Sequence, residues 1–546
     1  MPRQTPGILF TYFQNAILMT IPVSAILLVW YRRAVSRNMS ATSDGSREVV
    51  DTGAADATAA AAAGSTDASS GRGSIDTGAN ESRTRRRLAV IYGIGGAVAS
   101  IVLTAMFFAS PGVELAALRV FVVWYAFCWP VVPTVAALLA MSRRRALAIF
   151  VVYLVAGVCV VWTWSVFNKV ALGRSEIVPS ANAQAFLTFL LYEAWLPYLI
   201  IFVTGSRRLR AVSPLALASL LVFSFSALGV HYAVVALMDV GSARQWLLAV
   251  AGAKIPSVLF LIAALPVGLA CWAGLGALGR KYEHKAFSDV QLVVDTWWLI
   301  VIFNVVVLAA SDFGWAALFG LLAWVAQRIA VEVLLRTWRI SPDEEQAPRL
   351  LLLRVFGFQR RTEQLFDGVA QRWRFSGSVA LIAGTDLVSR LIDPGDVVSF
   401  VGGRLRQQFV RSGNDLTNRL RLVDRLRDPD GRFRVNKFFC HDNTWQTTLQ
   451  ALLKRADVVL MDLRGFSERN SGCQFELKEL AENALLQKTV FVVDDSTDSR
   501  LLEASVLQAA PAMGGTGPDG RLNLVHTKRQ SSKEIYAIFR ALRACA

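Results

Sequence analysis

Residues 456–480 read ADVVLMDLRGFSERNSGCQFELKEL. The run DVVLMDL (457–463) has the length and apolar content of a buried strand, and the polar loop behind it leads into a helix. Ser471 and Gln474 stand at capping-box spacing, which predicts a helix from 472. At about 100° per residue, Cys473, Leu477, Leu480, Ala481 and Ala484 make one apolar stripe facing a sheet. Glu476 falls on the shoulder of that stripe, level with the strand ends, whereas Glu479 and Glu482 point away and Phe475 turns to the solvent side. A carboxylate one turn into a helix is also favoured by the helix dipole, so Glu476 has a structural reading beside a chemical one.

The same alternation extends outward. Strand-like runs stand at LLLRVFGF (351–358), VALIAG (379–384), FRVNKFF (433–439), TVFVVDD (489–495) and LNLVHTK (522–528), with helical stretches between them. Such alternation predicts a mostly parallel, flavodoxin-like α/β sheet covered on both faces over residues 345–546. Ligands of such sheets bind at the carboxyl ends of strands, here after Gly357, Gly384, Asp462 and Asp494. Gly357, Phe358, Asp462, Ser467 and Cys473 are therefore candidate ligand-binding residues. Cys440, His441 and Asp442 have the residue types of a thiol site, but neighbours on a strand point to opposite faces. Six scattered cysteines predict neither a disulfide framework nor a metal site, and the glycine runs lack the G-K-[ST] of a phosphate loop.

The strand, the loop containing Ser467 and the helix start with Cys473, Glu476 and Leu477 resemble the C-x-x-E-L segment of TIR (Toll/interleukin-1 receptor) domains, with Gly472 in place of the usual Trp. The preceding helix TLQALLKRA and the first strand running into LRVFGFQRR are also TIR-like, whereas the segment 385–440 is longer than the usual connection and carries an additional strand. The resemblance covers roughly 350–546. It implies a cytoplasmic domain that hydrolyses NAD+ or a related nucleotide N-glycoside with Glu476 as catalytic residue, NAD+ being substrate and no cofactor being bound. One carboxylate suffices for this chemistry, because nicotinamide leaves a cationic glycoside as a neutral group and needs no general acid. What remains is to steady an oxocarbenium-like ribose. Many TIR domains instead serve as assembly modules, so self-association through this domain is a second expectation.

The rest of the chain has a different character. Hydrophobic residues make up 54% of the 546, charged residues only 18%, and there are 15 Trp, a composition foreign to soluble globular proteins. Nine segments have the length and apolarity of membrane spans, at 8–30, 88–110, 119–141, 146–167, 185–204, 213–237, 255–278, 293–310 and 313–335. Six basic clusters, among them YRR (31–33), RTRRR (83–87) and SRRR (142–145), fall on one side if the N-terminus is outside. The net charge of +16 is thus a topological signal, and nucleic acid is not an expected partner. A cleaved signal peptide would place RTRRR on the wrong side. This predicts a membrane protein, and the high Ala and Arg content points to a bacterial inner membrane: a first span in 1–39, a disordered cytoplasmic linker rich in Ala, Ser and Gly over 40–87, and an eight-span α-helical bundle over 88–340.

Glu193 stands mid-span, His231 late in its span and Lys254 at the edge of another. Charges inside a bilayer mark ion, proton or ligand sites, or else carboxyls and amines that fix packing or reach for the interface. Arg328 and Glu332, four apart, are expected to pair along one helix face. Two functions of different class follow: a membrane-gated enzyme consuming NAD+, or a non-catalytic membrane sensor or scaffold in signalling whose TIR-like domain binds a nucleotide or a partner. Transport has less support, since no broken helices recur in matching halves.

Overall fold

The computed structural model describes residues 5–40, 77–109, 116–139, 141, 143–171, 173, 177–190, 195–204, 213–239, 255–338, 347–354, 359–383, 394–401, 403, 409–421, 423, 426–441, 443–509, 522–528 and 531–546. Most of the segment read as a linker lies outside them. The chain divides into two compact units, Met1–Val29 with Ser82–Ile340 and Asp393–Gly402, and Trp30–Glu81 with Ser341–Ile392 and Gly403–Ala546.

The first unit is helical. Its elements are α1 (Thr5–Ser40, continuing into the second unit), α2 (Thr77–Phe108), α3 (Ala117–Phe127), α4 (Val131–Leu138), α5 (Arg143–Ala171), α6 (Pro179–Thr188) and α7 (Trp195–Thr204). They are followed by α8 (Ser213–Asp239), α9 (Ile255–Glu283), α10 (Asp289–Phe313), a 3-10 stretch (Gly314–Leu321) and α11 (Leu322–Thr337). Helix α2 begins at Thr77, inside the segment read as linker.

Among the described residues six helices are long and apolar enough to cross a membrane: Leu18–Asn38, Ser82–Phe108, Arg144–Ala171, Ile262–Glu283, Asp289–Ala309 and Ala316–Thr337. A seventh forms if α3 and α4, bent by 43°, count as one span. The break falls at Pro130, which has no N–H to continue the helix. The expected fifth span includes residues 191–194, outside the described set. The expected sixth, in α8, is represented by the shorter apolar piece Pro214–Ser226. Among the described residues the helical region therefore holds six to seven candidate spans, the make-up of a multi-span membrane region.

The core of this unit runs along α2, α10 and α11, with Leu88, Tyr92, Val294, Trp298 and Val331 buried. A Cβ on Gly96 would lie 2.5 Å from the Trp298 ring, so glycine permits this close α2 approach. Arg328 does not pair with Glu332: its Nη1 reaches Asp295 of α10 at 2.5 Å, and Glu332 pairs with Arg336 on its own helix. Arg328 is only 23% and Asp295 only 12% exposed, and in so little water the cross-helix carboxylate is the partner that offsets burial of the guanidinium.

The second unit holds a seven-stranded, all-parallel sheet: β1 (Arg349–Arg354), β2 (Ser378–Ala383), β3 (Phe409–Val410), β4 (Val435–Cys440), β5 (Val458–Asp462), β6 (Thr489–Val493) and β7 (Asn523–His526). The order β3-β4-β2-β1-β5-β6-β7 contains the flavodoxin-like 2-1-3-4-5 arrangement, extended past β2 by two strands. All six expected strands form. The two-residue β3 was illegible because so short a run carries no alternation.

Helix α12 (Gln359–Trp373) and the C-terminal helix (Ser532–Cys545) pack through Trp373 and Phe539, whose rings are 6.3 Å apart. The other large core joins Leu351, Leu353, Met461 and Phe491 to Leu416, Leu449, Leu477 and Leu480. Between β2 and β3 the chain makes α13 (Pro394–Val401), which belongs to the helical unit and packs against α9 there. The other helices of the sheet unit are α14 (Gly413–Arg421), α15 (Trp445–Leu453), α16 (Ser471–Glu482), α17 (Ser499–Ala509) and α18, the C-terminal helix already given.

Candidate active site

The chain adds β2 and then β4 on one side of β1, and returns to its other side with β5. Neighbouring strands whose connections leave in opposite directions open a crevice at their carboxyl ends. That switch point lies between Arg354, the last residue of β1, and Asp462, the last of β5, which are paired in register. The loop after β1, with Gly357 and Phe358, lies outside the described residues, as does Gly384.

After β5 the chain turns at Gly465, whose φ of +74° suits a residue without Cβ. Leu463 N donates to Val492 O at 2.8 Å, Thr497 Oγ1 donates to Leu463 O at 3.1 Å and Asp498 N donates to Phe466 O at 3.0 Å, which ties this loop to the one after β6. Ser467 donates through both N and Oγ to Asn470 Oδ1, at 2.9 and 3.0 Å. Asn470, not Ser471, is the N-cap of α16, and no side-chain capping bond forms. The expected capping box is absent because Ser471 already lies in the first turn while the Asn470 side chain closes the preceding turn.

Cys473, Leu477, Leu480 and Ala481 face the sheet as expected, and the Cys473 thiol reaches Arg354 O at 3.5 Å. Ala484 lies beyond the helix, at a φ of +53°. The flank expected to meet solvent is covered. Phe475 packs edge-on against Trp445 of α15 at 5.5 Å, and Glu479, 7% exposed, accepts from Gln450 Nε2 at 2.7 Å. A helical wheel shows angles about one axis and not which angles a neighbouring helix occupies.

Glu476 is therefore not on an open shoulder: it is only 3% exposed, and its Oε2 has no hydrogen-bond partner among the described residues. Burial pushes its carboxyl up to about 8, against the opposing pull of the Arg354 guanidinium. Arg354 is itself 4% exposed. Asp462 is committed elsewhere, since Arg464 donates from Nε to Oδ1 and from Nη2 to Oδ2, both at 2.7 Å. The structure thus brings Asp462, Cys473 and Glu476 together around the end of β1, with Ser467 in the loop between. Arg354 and Arg464 were missed. Their signal was present: an arginine at the end of an apolar run such as LLLLR is a buried charge in search of a partner.

Burial holds the Cys440 thiol neutral, raised to about 11, with its Sγ 3.4 Å from Thr448 Oγ1, so it does not resemble a nucleophile. Glu193 and Lys254 lie outside the described residues, and so does the side chain of His231, which falls within α8. Compared with known proteins, the chain matches no family model, no curated protein and no solved structure.

Proposed function

We propose that this chain is a bacterial inner-membrane protein, N-terminus outside, whose TIR-like α/β unit is cytoplasmic and cleaves the N-glycosidic bond of NAD+ or a related nucleotide under control of the helical unit. The reading rests on one observation: Glu476, with an uncommitted carboxyl oxygen, is buried at the switch point of a parallel sheet. A carboxyl so placed does little for packing that a leucine would not do better.

In the reaction the C1′–N bond breaks and its electron pair stays on the nicotinamide nitrogen. Water adds its oxygen to C1′ and gives up one proton to solvent. Glu476 as an anion faces the ribose cation and lowers the barrier. In the unliganded site it holds a proton at neutral pH, since its carboxyl titrates near 8. A pyridinium ring arriving beside it favours the ionised form, so substrate binding expels that proton.

Glu476→Gln keeps the shape and removes the charge, and nicotinamide release by the full chain in lipid vesicles is expected to fall about a hundredfold or more. Equal activity in variant and parent would sink the assignment. A second reading, the sensor or scaffold that self-associates through the sheet unit, is favoured by the near-complete burial of Glu476. Absence of nicotinamide release from the parent, even when clustered on membranes, decides for it.

A further inference from the structure

We propose that one face of α2 is a binding site for an anionic phospholipid, with Arg83, Arg86 and Arg87 on the headgroup phosphate and Val90 and Ile94 along an acyl chain. The proposal goes beyond the hydrolase reading and stands without it, since it needs only that α2 crosses a bilayer.

Exposure defines the face. In the candidate span Ser82–Phe108, Arg83, Arg86, Arg87, Val90, Ile94 and Ile101 are exposed. At about 100° per residue all six fall within roughly 60° of one direction. Leu88, Ile91, Tyr92, Ala99 and Leu103 fall outside that sector and are buried in the bundle. The face is therefore basic over its first turn and aliphatic from Val90 on, with Val90 49% and Ile94 41% exposed. At about 1.5 Å per residue, Val90 and Ile94 stand roughly 5 and 10 Å beyond Arg87, within the nearer half of a hydrocarbon core about 30 Å thick.

The three guanidiniums have no internal use. Among the described residues none of them has a hydrogen-bond or ion-pair partner. Glu81, the single carboxylate of α2, stands about 160° round the helix from Arg83. By contrast, the exposed Arg336 of α11 is met by Glu332 on its own helix. Like charges three and four residues apart repel one another, and an anion among them turns that cost into a gain.

The occupant must suit both halves of the face. Inorganic phosphate or a nucleic acid would meet the guanidiniums and leave the adjoining aliphatic residues in water. A zwitterionic lipid would cover the aliphatic residues and bring its own ammonium towards the arginines. An anionic phospholipid matches the basic turn with its headgroup and the aliphatic stripe with its chain.

The test uses the full chain. In micelles of a neutral detergent, phosphatidylglycerol bound to the protein is counted by native mass spectrometry against phosphatidylcholine with the same acyl chains. The parent is expected to prefer phosphatidylglycerol, and the preference to fade as salt is added. Arg83→Gln, Arg86→Gln and Arg87→Gln together should lower the affinity for phosphatidylglycerol about a hundredfold, each guanidinium contributing roughly a factor of five. Loss of arginines beside a span also alters insertion, so a second measurement keeps the parent chain. It is placed in vesicles holding either lipid with a photoreactive acyl chain, and cross-links are mapped by peptide mass spectrometry. Phosphatidylglycerol is expected to be captured in excess at residues 90–94. Equal capture of the two lipids there, or unchanged affinity in the triple variant, would overturn the proposal. Displacement of phosphatidylglycerol by inorganic phosphate or by an oligonucleotide at equal phosphate concentration would overturn it as well, leaving a site for free phosphate or for nucleic acid.

Discussion

A glutamate that titrates near 8 in the fold and at 4.5 when exposed is a stability statement as well as a chemical one. Between those values the folded chain holds a proton that the unfolded chain has lost. Stability contributed by the protonated form is therefore complete at low pH and is lost as pH rises through the window, by about 1.4 kcal/mol per unit and on the order of a few kcal/mol in all. Glu476→Gln removes this liability. In urea unfolding of the sheet unit, followed by pulse proteolysis of the solubilised full chain, variant and parent should be alike at about pH 5 and the variant clearly more stable at about pH 9. A variant that gains nothing at high pH would show that Glu476 is not buried in solution. The position of this residue was legible from the strand, loop and helix around it. Its burial was not, because α15, fixed by Trp445 and Gln450, covers the flank that a helical wheel assigns to water.

Strands were easier to read than spans, for a physical reason. The central strands β1, β5 and β6 are short apolar runs bounded by turns and buried along nearly their whole length, so composition alone marks them. A span must be both apolar and continuous, and the sequence reports only the first. Pro130 shows the difference: the apolar stretch 119–141 is unbroken in composition, yet its helix bends by 43°. Long-range pairing is equally hidden, since Arg328 finds Asp295, 33 residues away, in preference to the carboxylate one turn along its own helix. Odd and even numbers of spans put the two ends of the helical region on opposite or equal sides, so orientation tests the count. Tags within 45–80 and at the C-terminus are both expected in the cytoplasm, by protease protection of inverted and right-side-out vesicles. Protection of the two tags in different vesicle types would break the nine-span, N-out arrangement.

For the whole molecule, the boundary between membrane and sheet units was read as one point near 340–345, and the structure draws it differently. The chain passes into the sheet unit after Ile340, leaves it after Ile392, and returns at Gly403. Nothing in the composition of Pro394–Val401, an eight-residue apolar helix, distinguishes a buried piece of α/β domain from a piece of bundle. In the helical unit Val397 is 2% exposed and α13 lies against α9. The sheet unit is thus a folding module whose gene segment is discontinuous. A fragment cut at 345–546 would carry α13 without its packing partners, leaving its apolar residues exposed. That fragment is expected to sediment as oligomers, and replacement of 393–402 by a short Gly/Ser loop to yield a soluble monomer. A monodisperse parent fragment would refute the assignment of α13. The practical consequence is one of order: in synthesis residues 341–392 of the sheet unit leave the ribosome first, then the segment 393–402 that belongs to the helical unit, and only then the remainder of the sheet.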